Sequence, residues 1–365
     1  MHLKRLELLD FKNYHHLELD FGKGINCLVG PNGTGKTNLL DAIHYLCMTK
    51  SAFNAIDQQN IRHNADLFAN RGYFERQGQT LAVNCSLQRG QRKVFKVNKK
   101  EYEKISSHIG LLPCVLVAPD DTDLVREGSE TRRRHFDNTI SQTDPLYLSA
   151  LIAYNQVLRQ RNQLLKQFAE KQYFDHHLLD TYDDMMLPLC AEIGQKRSEF
   201  TTGFIEVFQE YYRLLSNSRE SVQITYESTA LAADFARQFK AQRKKDLALQ
   251  RSTTGIHRDD FKFTIEGFPL KKFGSQGQQK SFVISLKLAK FEIISRRLKL
   301  KPLLLLDDIF DKLDDQRIAS MLQLVAEGVF GQIFITDARP ERSRQLLGHY
   351  GEQVNFYHTD NPAAQ

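Results

Sequence analysis

With 365 residues, 41% of them hydrophobic and 26% charged, the chain can build one large or two modest domains around a real core. This balance excludes a disordered chain, and no apolar run nears the length of a membrane span. The net charge of +6 is a mild bias toward polyanions, while the odd, scattered set Cys27, Cys47, Cys85, Cys114 and Cys190 contains no CxxC pair and fits reduced thiols better than zinc.

Met1-His2-Leu3-Lys4 runs directly into an alternating pattern, so no signal peptide is expected and the protein is placed in the cytoplasm. Residues 1–29 read as strands. Leu17, Leu19 and Phe21 alternate with polar residues, and Ile25 to Val29 is a buried-strand run ending at a glycine-rich turn. Asn38 to Leu46 follows as a helix with Leu39, Ala42, Ile43 and Leu46 on one face. Further strands are predicted between residues 80 and 117. The character changes after Pro119. Leu148, Leu151, Tyr154, Leu158 and Leu165 repeat at helical spacing, as do Leu178, Tyr182, Met185 and Leu189 around a kinking Pro188, and then Phe200, Phe204, Phe208 and Tyr211. Strand patterning resumes near Thr253, and helix, buried strand, helix and strand close the chain. The predicted fold is α/β: one α/β domain made from residues 1–120 and 250–365, with a helical domain of residues 121–249 inserted into it.

Gly30-Pro31-Asn32-Gly33-Thr34-Gly35-Lys36-Thr37 matches the P-loop pattern between a strand and a helix. Its glycines let backbone N–H groups turn toward phosphate oxygens at a helix N-terminus. Lys36 is expected to reach the β- and γ-phosphates, and the Thr37 hydroxyl to ligate Mg²⁺. Leu303 to Leu306 followed by Asp307-Asp308 has the form of a Walker B strand. Asp307 would hold Mg²⁺ and Asp308 would orient or deprotonate the attacking water. Ser275-Gln276-Gly277-Gln278-Gln279-Lys280 opens a helix upstream of that strand, where Ser275 suits an N-cap. Its order along the chain is similar to that of the ABC-type signature, whose serine and glycine contact the γ-phosphate held by a second subunit.

Together these motifs resemble the RecF family of bacterial DNA replication and repair proteins, relatives of the SMC heads. The resemblance rests on Leu6-Glu7-Leu8-Leu9-Asp10-Phe11-Lys12-Asn13-Tyr14, on the P-loop with Asn38-Leu39-Leu40, on Gly255-Ile256-His257-Arg258-Asp259-Asp260, on Ser275 to Lys280 and on Leu305 to Asp314. It implies an ABC-type ATPase fold without a coiled-coil arm, and an ATP-dependent homodimer that binds DNA. The implied work is recombinational repair, replication restart and the SOS response, supporting RecA loading at single-strand gaps and duplex junctions with RecO and RecR. Lys12 and Asn38 are implied beside the nucleotide phosphates, and Asp314 in a D-loop across the dimer interface. Pro119-Asp120-Asp121 would join the two lobes. Thr336-Asp337 stands where transporter ATPases carry a switch histidine. His257 and Arg258 could support the site or serve as structural hydrogen-bonders. A weak, DNA-dependent ATPase used as a switch is the leading reading; the alternative is an SMC-like module in which ATP only cements the dimer.

Overall fold

The computed structural model describes residues 1–216, 220–312 and 315–359. Strands β1 (His2–Phe11), β2 (Tyr14–Asp20) and β3 (Ile25–Val29) lead to helix α1 (Lys36–Met48). Then come β4 (Leu67–Arg76), β5 (Gln79–Gln88), β6 (Val94–Val97), β7 (Lys100–Glu101) and β8 (Cys114–Val117). Helices α2 (Asp123–Arg126), α3 (Ser129–Thr143), α4 (Pro145–Lys171) and α5 (His176–Ser216) follow, then β9 (Val222–Glu227), α6 (Phe235–Ala241), α7 (Arg243–Leu249), β10 (Asp260–Ile265) and β11 (Phe268–Pro269). A short α8 (Leu270–Phe273) precedes α9 (Gln276–Leu298), and the chain closes with β12 (Leu303–Leu306), α10 (Ile309–Lys312), α11 (Asp315–Ala326), β13 (Ile333–Asp337), α12 (Pro340–Leu347) and β14 (Val354–His358). Among the described residues, no helix is long and apolar enough to cross a membrane.

Two compact units result: Met1–Asp121 with Ile284–Gln365, and Thr122–Val283. The first holds an antiparallel sheet in the order β2-β1-β4-β5-β6-β7 and a parallel sheet in the order β14-β3-β13-β12-β8. Strand β1 alternates buried and exposed residues as a sheet with one covered face must, whereas β3, β12 and β13 are buried throughout, as parallel strands covered on both faces are. Helix α1 contributes Leu39, Ile43 and Leu46 to one core with Leu6, Phe68, Leu305 and Phe334.

The second unit is not purely helical, and it extends past residue 249. Residues 250–283, expected in the ATPase domain, stand in this unit. Strand β10 pairs antiparallel with β9 in a three-stranded sheet, and Phe261 stacks on Phe136 of α3 with ring centroids 3.9 Å apart. The two helical stretches expected on either side of residue 200 are one helix, α5, with Pro188 inside it. Its buried stripe runs through Leu179, Asp183, Met186, Cys190, Ile193 and Arg197, so Leu178 and Met185 face outward. Likewise α4 buries Tyr147, Ala150, Tyr154, Val157 and Arg161, one position away from the expected Leu148 and Leu151. Charged residues set these faces. Arg161, fully buried, donates to Asp183 at 2.7 Å and to Asp246 at 2.8 Å.

Candidate nucleotide site

The loop after β3 is held open by its glycines. Gly33 and Gly35 have φ of +86° and +104°, which a side chain would strain. Gly35 caps α1, so the helix's first free N–H groups face the loop interior. The Lys36 ammonium folds back over the loop and donates to the carbonyls of Gly30 (2.6 Å) and Pro31 (2.8 Å). Burial lowers its pKa, against the pull of Asp308, Asp307 and Asp337. Three residues outside the motif brace the loop. Asn13 donates to the Thr34 carbonyl at 3.1 Å and accepts from the Asn38 amide at 2.8 Å. The Thr34 hydroxyl lies 2.6 Å from that of Thr359, whose own N–H donates to the Val29 carbonyl.

Strand β12 delivers the acidic pair. The Thr37 hydroxyl donates to both Asp307 carboxylate oxygens, at 2.9 and 3.1 Å, and the Thr336 hydroxyl donates to Oδ1 at 2.8 Å. Burial raises the Asp307 pKa, and the Thr336 and Thr37 hydrogen bonds partly counter it. Asp308 has φ of +48°, and its N–H donates to Thr336 Oγ1 at 2.8 Å. Thr336 therefore holds both carboxylate residues, one through the side chain and one through the backbone. A cleft of about 250 Å³ opens here, walled by Gly33, Lys36, Thr37, Pro119, Asp307 and Asp308. Asn32 also borders it. Among the described residues, no three His, Cys, Asp or Glu side chains gather into a self-sufficient metal site. Thr37 and Asp307 are hard oxygen donors of the kind that hold Mg²⁺ together with water and substrate phosphate.

A second hollow of about 910 Å³ adjoins the cleft, sharing Thr37 and Asn38 and adding Lys12, Phe53, Asn54 and Ile56. Lys12 borders it from a left-handed turn, with φ of +53°. Its ammonium is paired with the fully buried Asp41 of α1 at 2.6 Å and lies near the rings of Phe11 and Phe53. Asp41 also accepts from the Ser51 hydroxyl and the Ala52 N–H. Lys12 thus borders the hollow next to the P-loop with its charge partnered inside the protein.

The Ser275 segment belongs to the second unit. Its geometry is a reciprocal cap: Ser275 Oγ accepts from the Gln278 N–H at 3.2 Å, and Gln278 Oε1 accepts from the Ser275 N–H at 2.6 Å. The Gln278 amide also donates to Glu220. Ser275 and Gln276 are exposed, and Gly277 is half-buried. Asp314 lies outside the described residues.

The 255–260 motif proves to be a structural knot. Arg197, 1% exposed, donates to Asp259 and to the Ile256 carbonyl through Nη1, and to Asp137 through Nε and Nη2. Tyr226 donates to Asp259 at 2.5 Å, and Arg132 makes a bidentate pair with Asp260. His257 Nε2 faces the Ser252 carbonyl at 3.1 Å and must carry the proton, leaving Nδ1 to accept from the Tyr154 hydroxyl at 2.6 Å. Burial lowers the His257 pKa to about 4. Arg258 is exposed. The basic run Arg132-Arg133-Arg134 is largely spent internally, on Asp260, on the Asp259 carbonyl and on Glu130.

Sequence reading found the P-loop and the acidic pair but missed Asn13 and Thr359 as braces. Asn13 lies inside a noticed motif, whereas nothing around Thr359 marks it. Asp120 is exposed; its neighbour Asp121 is the anchored carboxylate, accepting from the Ala118 N–H and from Lys287.

The profile of the RecF/RecN/SMC N terminal domain family matches residues 2–353. The DNA replication and repair protein RecF of Cytophaga hutchinsonii is 49% identical over 343 residues, covering 94% of this chain and 91% of that protein. RecF of Bacteroides thetaiotaomicron is 43% identical, covering 99% of this chain and 97% of that protein. The solved structure of the recombination mediator protein RecF-ATPrS in the RecFOR pathway is similar with a TM-score of 0.87 at 27% identity, covering 98% of this chain and 95% of that one. An Smc head bound to the C-winged helix domain of ScpA shares the fold at 16% identity, with a TM-score of 0.54 over 93% of this chain and 90% of that one. The chain belongs to the RecF/RecN/SMC N-terminal domain family of ABC-type ATPase folds, within its RecF branch.

Proposed function

We propose that the protein binds ATP in the first unit's cleft, joins a second copy around it on DNA, and uses slow hydrolysis to reset the assembly. The convergence of the Lys36 ammonium, the Thr37 hydroxyl and the Asp307 carboxylate on one cleft, from two distant pieces of chain, carries this reading.

In this reading Lys36 exchanges the Gly30 and Pro31 carbonyls for phosphate oxygens, while the α1 N-terminus and the glycine N–H groups cradle the anion. Thr37 and Asp307 would hold Mg²⁺, which would supply positive charge to the phosphate groups. Asp308 orients the attacking water and accepts its proton. The adjoining hollow, with Phe53 and Ile56 beside amide side chains, takes the nucleoside half, with Lys12 and Asn38 at its edge. Ser275, Gln276, Gly277 and Gln278 act in trans on the partner's γ-phosphate, as Asp314 does on the interface. Membership of the RecF branch supports DNA at single-strand gaps and duplex junctions as the ligand, with RecO, RecR and RecA as partners in a cytoplasmic pathway of repair.

ATPase rate and mass by light scattering, with and without Mg-ATP and gapped DNA, test the proposal. The protein is expected to be monomeric without nucleotide, dimeric with ATP, and faster on DNA. Ser275→Arg should keep ATP binding and lose dimerisation, because bulk and charge then stand where the partner's phosphate docks. A Ser275→Arg protein that still dimerises with ATP overturns the trans arrangement.

A further inference from the structure

Lys287 lies on the stretch of α9 that belongs to the first unit, and it is only 8% exposed. Its ammonium donates to the Leu116 carbonyl of β8 at 2.8 Å and to Asp121 Oδ1 at 2.5 Å. The other oxygen of Asp121 accepts from the Ala118 N–H at 2.6 Å, and the Asp121 N–H donates back to the Ala118 carbonyl at 3.1 Å. The turn after β8 is thereby closed on itself and tied to α9.

That turn forms one wall of the phosphate cleft. Pro119, inside it, lines the cleft with Asp307 and Asp308. Strand β8 is the sheet neighbour of β12, and the Asp307 N–H donates to the Val117 carbonyl at 2.8 Å. The chain also leaves the first unit directly after Asp121 and returns to it at Ile284. The last residue before the exit and a residue in the first turn after the return are therefore joined by one ion pair.

A buried ion pair contributes little net stability compared with apolar residues of similar size; its better-attested value is to fix one arrangement. We propose that Lys287 is a positioning residue for ATP turnover: by holding Asp121 it fixes the Pro119 wall against the acidic pair. The proposal rests on the reading that this cleft hydrolyses ATP.

The test uses full-length protein and five variants: Lys287→Met, Lys287→Arg, Asp121→Asn, Lys287→Met with Asp121→Asn, and the Lys36→Ala control. Affinity for a fluorescent ATP analogue, steady-state kcat and KM, and the thermal melt are measured for each. Lys287→Met should bind nucleotide within about threefold of wild type and lose about tenfold or more in kcat, since misplacement of a site wall by about 1 Å reaches such factors. Lys287→Arg, which can still donate to Asp121, should recover most of the loss, and the double variant should be no slower than Lys287→Met alone, as expected of one shared interaction. If Lys287→Met does not fold, Asp121→Asn carries the test, because it leaves the Leu116 contact in place and should show the same kcat loss. Wild-type-like kcat in either folded variant, or losses that simply add in the double variant, overturns the proposal alone. Failure of both single variants to fold assigns the pair to stability and overturns it as well. Absence of ATP turnover in the wild type overturns the reading beneath it.

Discussion

Substituting Gly35 by alanine perturbs the P-loop without touching any charge. A Cβ at this position stands 2.3 Å from Asn13 Nδ2 and 2.7 Å from its Oδ1, well inside contact distance. Asn13 must swing away, giving up its bond to the Thr34 carbonyl and the one it accepts from Asn38. Each such bond contributes about 0.5–1.5 kcal/mol. The backbone adds its own penalty, because a φ of +104° strains a residue with a Cβ by about 1–3 kcal/mol. If the loop relaxes to escape both, the N–H groups turn away from the phosphates, so the loss falls on nucleotide affinity. A weakening of roughly 2 kcal/mol, or about 30-fold in Kd, is expected in a fluorescent-nucleotide titration. The two contributions separate in a cycle with Asn13→Ala, which removes the clash but not the φ strain. In that background Gly35→Ala should be milder by about 1 kcal/mol. Equal losses in both backgrounds, or wild-type affinity of Gly35→Ala, would refute this account of how the loop is held.

Three further outcomes follow from the geometry. Asp308→Asn should bind ATP but turn it over about 10² to 10⁴ times more slowly in a phosphate-release assay, whereas Lys36→Ala should not bind; normal turnover by Asp308→Asn would show that another group handles the water. Arg197→Met leaves the buried Asp259 and the half-buried Asp137 without their cation and should destabilise the second unit by about 3–5 kcal/mol in urea unfolding, a value near zero counting against the knot as a structural anchor. His257 has a pKa near 4 in the fold against 6.5 when free, so the neutral ring is favoured, chiefly by burial and also by the nearby Arg258 and Arg133. Its contribution is complete above pH 6.5 and is lost as the pH falls toward 4, at up to about 1.4 kcal/mol per pH unit. Stability of His257→Gln should therefore fall less steeply than wild type across that window, and identical slopes would sink the assignment.

The parts of the site legible in the sequence are those whose residues are consecutive. The P-loop and Leu303 to Asp308 each present their chemistry as one unbroken run, with a strand or helix signal on either side. Their braces come from elsewhere: Asn13 and Thr359 reach the same loop from opposite ends of the chain, and Thr336 reaches Asp307 across a sheet. Hydrophobic counting found α4 and α5 and placed Tyr154, Leu165, Phe200, Phe204 and Phe208 inward, as they are. It wrongly put Leu148, Leu151, Leu178 and Met185 on the buried face, because Arg161, Asp183 and Arg197 are buried as partnered charges and read as solvent-facing in any apolar tally. The same blindness hid Lys287, which reads as a solvated lysine until its partner, far off in sequence, is beside it. The inserted domain's end was set too early because strand β10 takes its place by pairing with β9, a contact that periodicity does not announce.

The order of the parallel sheet, β14-β3-β13-β12-β8, has a consequence for how the protein is made. The strand that carries the P-loop is flanked on both sides by strands from the last part of the chain. During synthesis, β3 emerges early and has no sheet neighbour until β13 and β14 have been translated. At about 5–20 residues per second, some 300 further residues take on the order of 15–60 seconds. Throughout that interval an apolar strand with two bare edges is available for wrong pairing. The second unit, being continuous in sequence, can fold while the ribosome still holds the rest. A nascent chain cut short before β14 would thus possess every nucleotide-binding motif and no finished sheet to hold them, which makes translation to the C-terminus itself the checkpoint for an active site.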